Sequence, residues 1–386
     1  MKKIDPKVEE AIDTLGISGA TRRRLLSGAG LASATAAASA LLAACSSNNK
    51  ADSSSTTGAQ SGGGGGVPGN FPKTPKWKFV FVNHVTTNPF FTPTQYGAQD
   101  ACALLGCTFQ WTGSKDSIVS EMVSATNSAI SAKADGIAIA VVDKTAFKQP
   151  VDNALGQGIP VVSYNADGAR GNPGTNRLAY IGQDLYTSGF QLGQRIASLM
   201  NGGDAVGFIA TPGTLNIQPR IDGAKDAIKQ SGKSINFTSV ASGAELPKEL
   251  SVIDAYAQGH QNLKGMFAVD AGSTENVGRV VQKYNLKQKG VAAGGFDLNP
   301  STLQSIKSGN LDFTIDQQPY LQGFLPVLQL WFYKLSGGLV APSDTNTGLL
   351  FVTKDNVDTY LTTQTRFEGS TTGQKIVPRS GPIAHA

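Results

Sequence analysis

Histidine, cysteine, methionine and tryptophan are all scarce in this 386-residue chain, at 3, 3, 4 and 3 residues. His84, His260 and His385 lie far apart, and no His, Cys and carboxylate set has the spacing of zinc ligands. No Gly-x-Ser-x-Gly elbow is present, and a Ser or Cys nucleophile needs an adjacent base. The inventory points away from a hydrolase or dehydrogenase: no catalytic residue, metal or cofactor is expected. No segment after the N-terminal stretch approaches the roughly 20 apolar residues of a membrane span. Charge is sparse too, at 16% of residues, with 33 Lys and Arg against 28 Asp and Glu. Beyond residue 45 the balance is 27 basic to 24 acidic, so no strong basic field invites nucleic acid.

The N-terminus supplies addressing signals. Thr21-Arg22-Arg23-Arg24-Leu25-Leu26 is a twin-arginine signature, followed by an Ala-rich apolar stretch over 31–44. Leu42-Ala43-Ala44-Cys45 then has the form of a lipobox, small residues before a thiol to be acylated. Residues 1–45 are expected to be a twin-arginine lipoprotein signal, with Cys45 as the lipidation site. Gly28, Gly30 and Ser33 match a glycine-rich loop, but no strand precedes them. Residues 46–75 are rich in Ser, Thr and Gly, ending in the run Gly62 to Gly66. That composition buries little apolar surface and reads as a flexible tether. The chain is expected on the extracytoplasmic face of the cell membrane, held by its lipid, as a monomer.

From residue 76 short β-rich runs alternate with amphipathic ones. Strands are expected at 77–82, 107–111, 137–142, 159–164 and 178–181, with helices over 89–105 and 118–132 and another before Gly158. The pattern then restarts: helix 188–200, strand 205–210, helix 219–230, strand 235–240, a helix including 251–258, and strands at 265–269, 291–296 and 313–315. Two rounds of strand and helix imply two doubly wound parallel α/β domains. Cys102 and Cys107 flank Gly106 at a helix end. They could form a disulfide in an oxidising compartment or pack as small buried residues, and packing is the favoured reading.

Ligands of doubly wound sheets bind outside the carboxyl ends of the strands, so the residues that follow each strand matter most. They are Asn83 and His84 with Asn88, Phe90 and Phe91 beyond; Asn165 and Asp167; Arg220 at a helix start; Asp270; Asp297; and Gln317. Aromatic faces can stack on C–H patches, while amides, carboxylates and a guanidinium pair with hydroxyls. A sugar or polyol needs that combination. The candidate ligand-binding set is therefore His84, Asn88, Phe90, Phe91, Asn165, Asp167, Arg220, Asp270, Asp297 and Gln317.

Four pieces carry a resemblance: Asn88-Pro89-Phe90-Phe91, Arg220-Ile221-Asp222-Gly223, Gly294-Gly295-Phe296-Asp297 and Thr314-Ile315-Asp316-Gln317-Gln318-Pro319. In order and spacing the chain, from about 77 to 352, resembles the type I periplasmic binding family, the sugar receptors of bacterial ABC importers that include ribose binders. The resemblance implies two lobes joined by a three-crossover hinge, with crossings near Asp184, Gln317 and Gly337-Gly338. The first lobe would be 76–184 plus 318–337. The second would be 185–317 plus 338–386, with 348–352 as an edge strand. It implies that Asn88 bonds the sugar, that Phe90 and Phe91 stack on it, and that Arg220, Asp270, Asp297 and Gln317 supply the second-lobe and hinge contacts. The implied partner is an ABC permease. Asn165 and Ala166 stand where ribose binders carry Asp and Arg, which argues for a polyol or a sugar other than ribose; Asp167 could compensate. The segment after Asp270 is longer than in ribose binders. Sugar-responsive repressors share the resemblance but need a helix-turn-helix head, where this chain has its export signal. The remaining alternative is a receptor for a signalling molecule of the autoinducer-2 kind, or a sensor module.

Overall fold

The computed structural model of the chain describes residues 72–168, 174–338, 342–363 and 365–375. The signal, Cys45, all but the end of the 46–75 tether, and 376–386 lie outside the described residues.

The first round comprises β1 (Lys78–Asn83), α1 (Thr92–Leu105), β2 (Thr108–Gly113), α2 (Val119–Ser131), β3 (Gly136–Ile139), α3 (Lys148–Gly156), β4 (Val161–Tyr164) and β5 (Ala179–Gly182). β3 and β4 are buried along their whole length, as parallel strands covered on both faces must be. Pro93 sits in the first turn of α1, where a missing N–H costs nothing. Gly106 ends that helix at φ 69°, where a side chain would be strained.

The second round comprises α4 (Leu185–Leu199), β6 (Gly202–Ile209), α5 (Gln218–Gln230), β7 (Ser234–Ala241), α6 (Leu246–Gly259), β8 (Gly265–Ala268), α7 (Ala271–Lys283), β9 (Ala292–Phe296), α8 (Pro300–Lys307) and β10 (Phe313–Asp316). α9 (Leu321–Ser336), β11 (Asp344–Asn346), β12 (Leu350–Val352) and α10 (Val357–Thr363) complete the described elements.

Two six-stranded sheets result, ordered β11-β5-β4-β3-β1-β2 and β12-β10-β9-β8-β6-β7. Every pairing is parallel except that of β12 with β10. Each sheet reverses its winding between its first and third strands, β1/β3 and β6/β8, and the crevice at such a reversal is where doubly wound sheets bind ligands. The two lobes are built on one plan.

The chain passes between sheets at Gln183-Asp184, at Gln317-Gln318 and between β11 and β12. The third passage corrects the sequence expectation, which put it at Gly337-Gly338. β11 pairs with β5 through Asp344, Thr345 and Asn346, so it belongs to the first lobe. Its three polar residues give no apolar periodicity to read. Residues 338–386 are thus not all second-lobe. α10 packs on α8 in the second lobe, through Val357 and Tyr360. The segment after it crosses back: Arg366 forks onto Asp100 of α1 at 2.8 and 3.1 Å, lies 4.3 Å from the Tyr96 ring centre, and Phe367 meets Tyr320 edge-on. This strap ties the lobes together a fourth time.

Cys102 and Cys107 are free, buried thiols. α1 and α9 touch backbone to backbone through Gly97 and Gly323, where any Cβ would collide with the Tyr320 and Thr94 carbonyls.

Candidate functional site

The lobes meet along the edge that holds the carboxyl ends of the strands. Leu215 N–H donates to the Val142 carbonyl at 3.0 Å, and Leu215 and Ala271 of the second lobe join the apolar cluster of the first. Asn216 Nδ2 lies 3.2 Å from His84 Nε2, both side chains being buried. Burial pushes the His84 pKa down to about 4, so the ring is neutral. With Nε2 accepting from Asn216, Nδ1 carries the hydrogen. His84 Nδ1 and Asn216 Oδ1 are both buried without a hydrogen-bond partner among the described residues, a donor and an acceptor left for a guest.

His84, Asn88 and Asp270 line one cavity of about 60 Å³ together with Asn216, Ser117 and Glu249. Asn88 Oδ1 accepts the Phe90 N–H at 3.0 Å, capping the 3-10 turn Pro89–Phe91. Phe90 and Phe91 meet edge-on at 4.7 Å. Phe91, 1% exposed, is also set against His84 and Trp111 in the first lobe's aromatic cluster, so Phe90 is the more accessible of the two rings.

Arg220, 3% exposed, is the central cation. Its Nη1 donates to the Val269 carbonyl at 2.8 Å and Nη2 to Gln183 Oε1 at 3.0 Å, and its guanidinium stands 4.0 Å from the Phe296 ring centre. Nε is buried with no partner among the described residues. Among the described residues no carboxylate is in ion-pair contact with it, although Asp297 and Asp270 both act on its charge. A buried charge without a direct counter-ion is costly unless something else satisfies it.

Asp297, at φ 77° and 4% exposed, accepts from Gln317 Nε2 at 2.6 Å. Burial pushes its pKa up to about 6, against the pull of Arg220 and Gln317. Asp270 caps α7 by accepting the Ser273 N–H at 2.9 Å, and accepts the Ala210 N–H at 3.0 Å through its other oxygen. Burial raises its pKa as well.

An amide chain ties these groups to the hinge. Asn165 Nδ2 donates to Gln322 Oε1 at 3.0 Å, Gln322 Nε2 donates to Gln317 Oε1 at 3.1 Å, and Gln317 donates to Asp297. Thr347 Oγ1 donates to the Gln317 carbonyl, and Gln183 Nε2 to the Gly348 carbonyl. The first and second passages are thereby each hydrogen-bonded to the third.

The structure thus gathers His84, Asn88, Phe90, Asp270, Arg220, Asp297 and Gln317 along the interlobe edge, with Asn165 joined through Gln322. Asp167 is engaged elsewhere. Its Oδ2 takes both Nε and Nη2 of Arg177, which also reaches Asp344 on β11, and only Oδ1 is left without a partner among the described residues. Asn165 at φ 62° turns the chain, so neighbouring side chains diverge. Sequence reasoning missed Gln183, Asn216, Glu249 and Gln322. Gln183 was legible, since it directly follows β5. A Glu in the first turn of a helix is ordinary, and nothing in the sequence distinguished Glu249.

Among the described residues no cluster of three His, Cys, Asp or Glu could hold a metal ion, and no helix is long and apolar enough to cross a membrane.

A family profile described as a periplasmic binding protein domain matches residues 79–337. The xylose/arabinose-binding protein XylF of Sulfolobus acidocaldarius is 50% identical over 318 residues, 80% of this chain and 78% of that protein. Among solved structures, a solute-binding protein from Burkholderia graminis in complex with D-arabinose is 26% identical, with a TM-score of 0.69 over 76% of this chain and 99% of that one. A carbohydrate transporter protein from Acidothermus cellulolyticus in complex with myo-inositol is 25% identical, with a TM-score of 0.68 over 77% of this chain and all of that one.

Proposed function

The chain belongs to the periplasmic binding protein family, and on that footing we propose that it is the extracytoplasmic solute receptor of an ABC importer, closing on a small sugar between its lobes. One observation carries the reading. Among the described residues Arg220 is buried with Nε free and no carboxylate in contact, while Asp297 and Asp270 stand near enough to act on its charge. A guest bearing several hydroxyls satisfies such an arrangement, accepting from the guanidinium and donating to the carboxylates. Hydrogen bonds to charged groups contribute roughly 1.5–3 kcal/mol each. A few of them, less ordering costs, support micromolar binding, on the order of −8 kcal/mol.

The sugar is an aldopentose in this reading. The half-identical relative is named for xylose and arabinose, and Ala166 leaves no guanidinium at that position for ribose. Asn88, His84 and Phe90 would meet the sugar from the first lobe, and Arg220, Asp270 and Asp297 from the second, with Gln317 at the hinge. Sugar contacts both lobes only when they are closed, so binding favours the closed form that a permease would recognise. The protein catalyses nothing in this reading: its site offers donors and acceptors for a guest. Export by the twin-arginine route, acylation at Cys45 and a monomeric state complete the proposal.

A thermal-shift panel of pentoses, hexoses and polyols against the full-length protein tests it. Xylose or arabinose at 100 times its dissociation constant is expected to stabilise the fold by about 2.7 kcal/mol. A panel without a single shift would reject the reading.

A further inference from the structure

We propose that Glu249 is a positioning residue for Asp270: its carboxyl carries a proton, donates it in a hydrogen bond to the Asp270 carboxylate, and so holds that carboxylate ready for sugar. The inference rests on the function proposed above and deepens it, because it makes affinity depend on one buried proton.

Glu249 lies in the first turn of α6, yet it is 3% exposed and lines the same interlobe cavity as Asn88, His84, Asn216 and Asp270. Its carboxyl is pressed against the start of α7. A Cβ at position 272 would meet Oε2, so a larger residue there would have to displace this carboxyl. Asn276 Nδ2, one turn along α7, lies 3.4 Å from the same oxygen, and Asp270 is a hydrogen-bonding neighbour.

Two neighbouring carboxyls on one buried cavity do not both ionise. Asp270 is the one built to keep the charge. Each of its oxygens accepts a backbone N–H, from Ser273 and from Ala210, and it sits at the positive end of the α7 dipole. The proton therefore belongs to Glu249.

The surrounding charges agree with this assignment. From α7, Glu275 adds negative charge, although its carboxylate is engaged by Arg279 and by Asn299. Asp297 follows β9, and Arg220 of α5 opposes both acids. His84 faces the pair across the cavity and is neutral. On the same helix, Lys248 has its stem against Gly243. Burial first, and the charge of Asp270 second, push the Glu249 pKa up to about 9, with the Asn276 amide pulling the other way.

The test is the pH dependence of sugar affinity, measured calorimetrically on the full chain between pH 6.5 and 10.5 with the pentose that binds. In the wild type, Kd is expected to hold steady to about pH 8.5. Above about 9 it should rise tenfold per pH unit, as required when one proton must be present for binding. Glu249→Gln donates through an amide that does not titrate, and is expected to lack this alkaline rise. A wild-type Kd flat to pH 10.5, or a variant rising in parallel, overturns the proposal.

If the variant does not fold, proton uptake by the wild type decides. Titrations at pH 9.5 in two buffers of different ionisation enthalpy should show more than half a proton taken up per sugar bound, and no uptake rejects the idea. If no sugar binds the wild type at pH 7, the function proposed above has failed and the pair is judged on melting of the unliganded protein. A carboxyl with a raised folded pKa gives stability that is full below the unfolded value and is lost as pH rises toward 9. The wild-type Tm should then fall more between pH 6.5 and 8.5 than that of Glu249→Gln, and equal slopes would reject the pair.

Discussion

Burial sets the protonation of the cleft side chains, and it does so with opposite consequences for acids and for the imidazole. Asp297 titrates near 6 in the fold instead of near 3.8. Its contribution to stability is therefore greatest below pH 4 and is lost as pH rises through 6, a change of about 3 kcal/mol. Asp297→Asn removes that titration. The variant's Tm is expected to decline less than the wild type's between pH 4 and 6.5, and melts across that range check it. His84, depressed to about 4, acts the other way: its contribution is present above pH 6.5 and is lost as pH falls to 4. At this scale the sequence showed which residues follow strands, because parallel topology alone puts them on one edge. It could not show where each side chain points. The left-handed turn at Asn165 sends that residue to Gln322 and Asp167 to Arg177, although they are two positions apart.

The secondary elements were legible where apolar periodicity was strong and illegible where function or polarity overrode it. β1, β3, β4 and β8 stand near their expected places because buried parallel strands are runs of apolar residues. β11 was missed because Asp344, Thr345 and Asn346 pair by backbone alone. The strap after α10 was missed for a related reason: it is fixed by a few specific contacts rather than by a pattern. Arg366 and Asp100, with side chains 10% and 14% exposed, dominate those contacts. Arg366→Ala would leave the partly buried Asp100 without its counter-ion, with only the Tyr320 hydroxyl donating to it, a cost of up to about 3 kcal/mol. The strap should answer by detaching locally rather than by unfolding the lobe. Hydrogen exchange is the measurement: the Gly369 and Ser370 amides, bonded to the carbonyls of Arg366 and Thr365, are expected to exchange roughly 100-fold faster. Unchanged protection would show that the ion pair does not hold the strap.

As a whole the molecule is two copies of one sheet plan facing each other across a hydrogen-bonded hinge. Gln183, Gln317, Gln322 and Thr347 join the three passages, and the same amides reach Arg220 and Asp297. In the proposed function those shared bonds couple movement of the hinge to occupation of the cleft. The two-lobed architecture was legible from the repeat of strands and helices. The hinge network was not, since its members are neutral side chains and Gln183 lies more than 130 residues before Gln317, Gln322 and Thr347. The central claim is that Arg220 and Asp297, brought together by this architecture, hold the sugar. The most direct measurement is calorimetric titration of a pentose into the wild type, Arg220→Ala and Asp297→Ala, each shown to be folded. One sugar per chain at micromolar affinity, weakened at least 100-fold in both variants, is the predicted result; full affinity retained in both would contradict the claim.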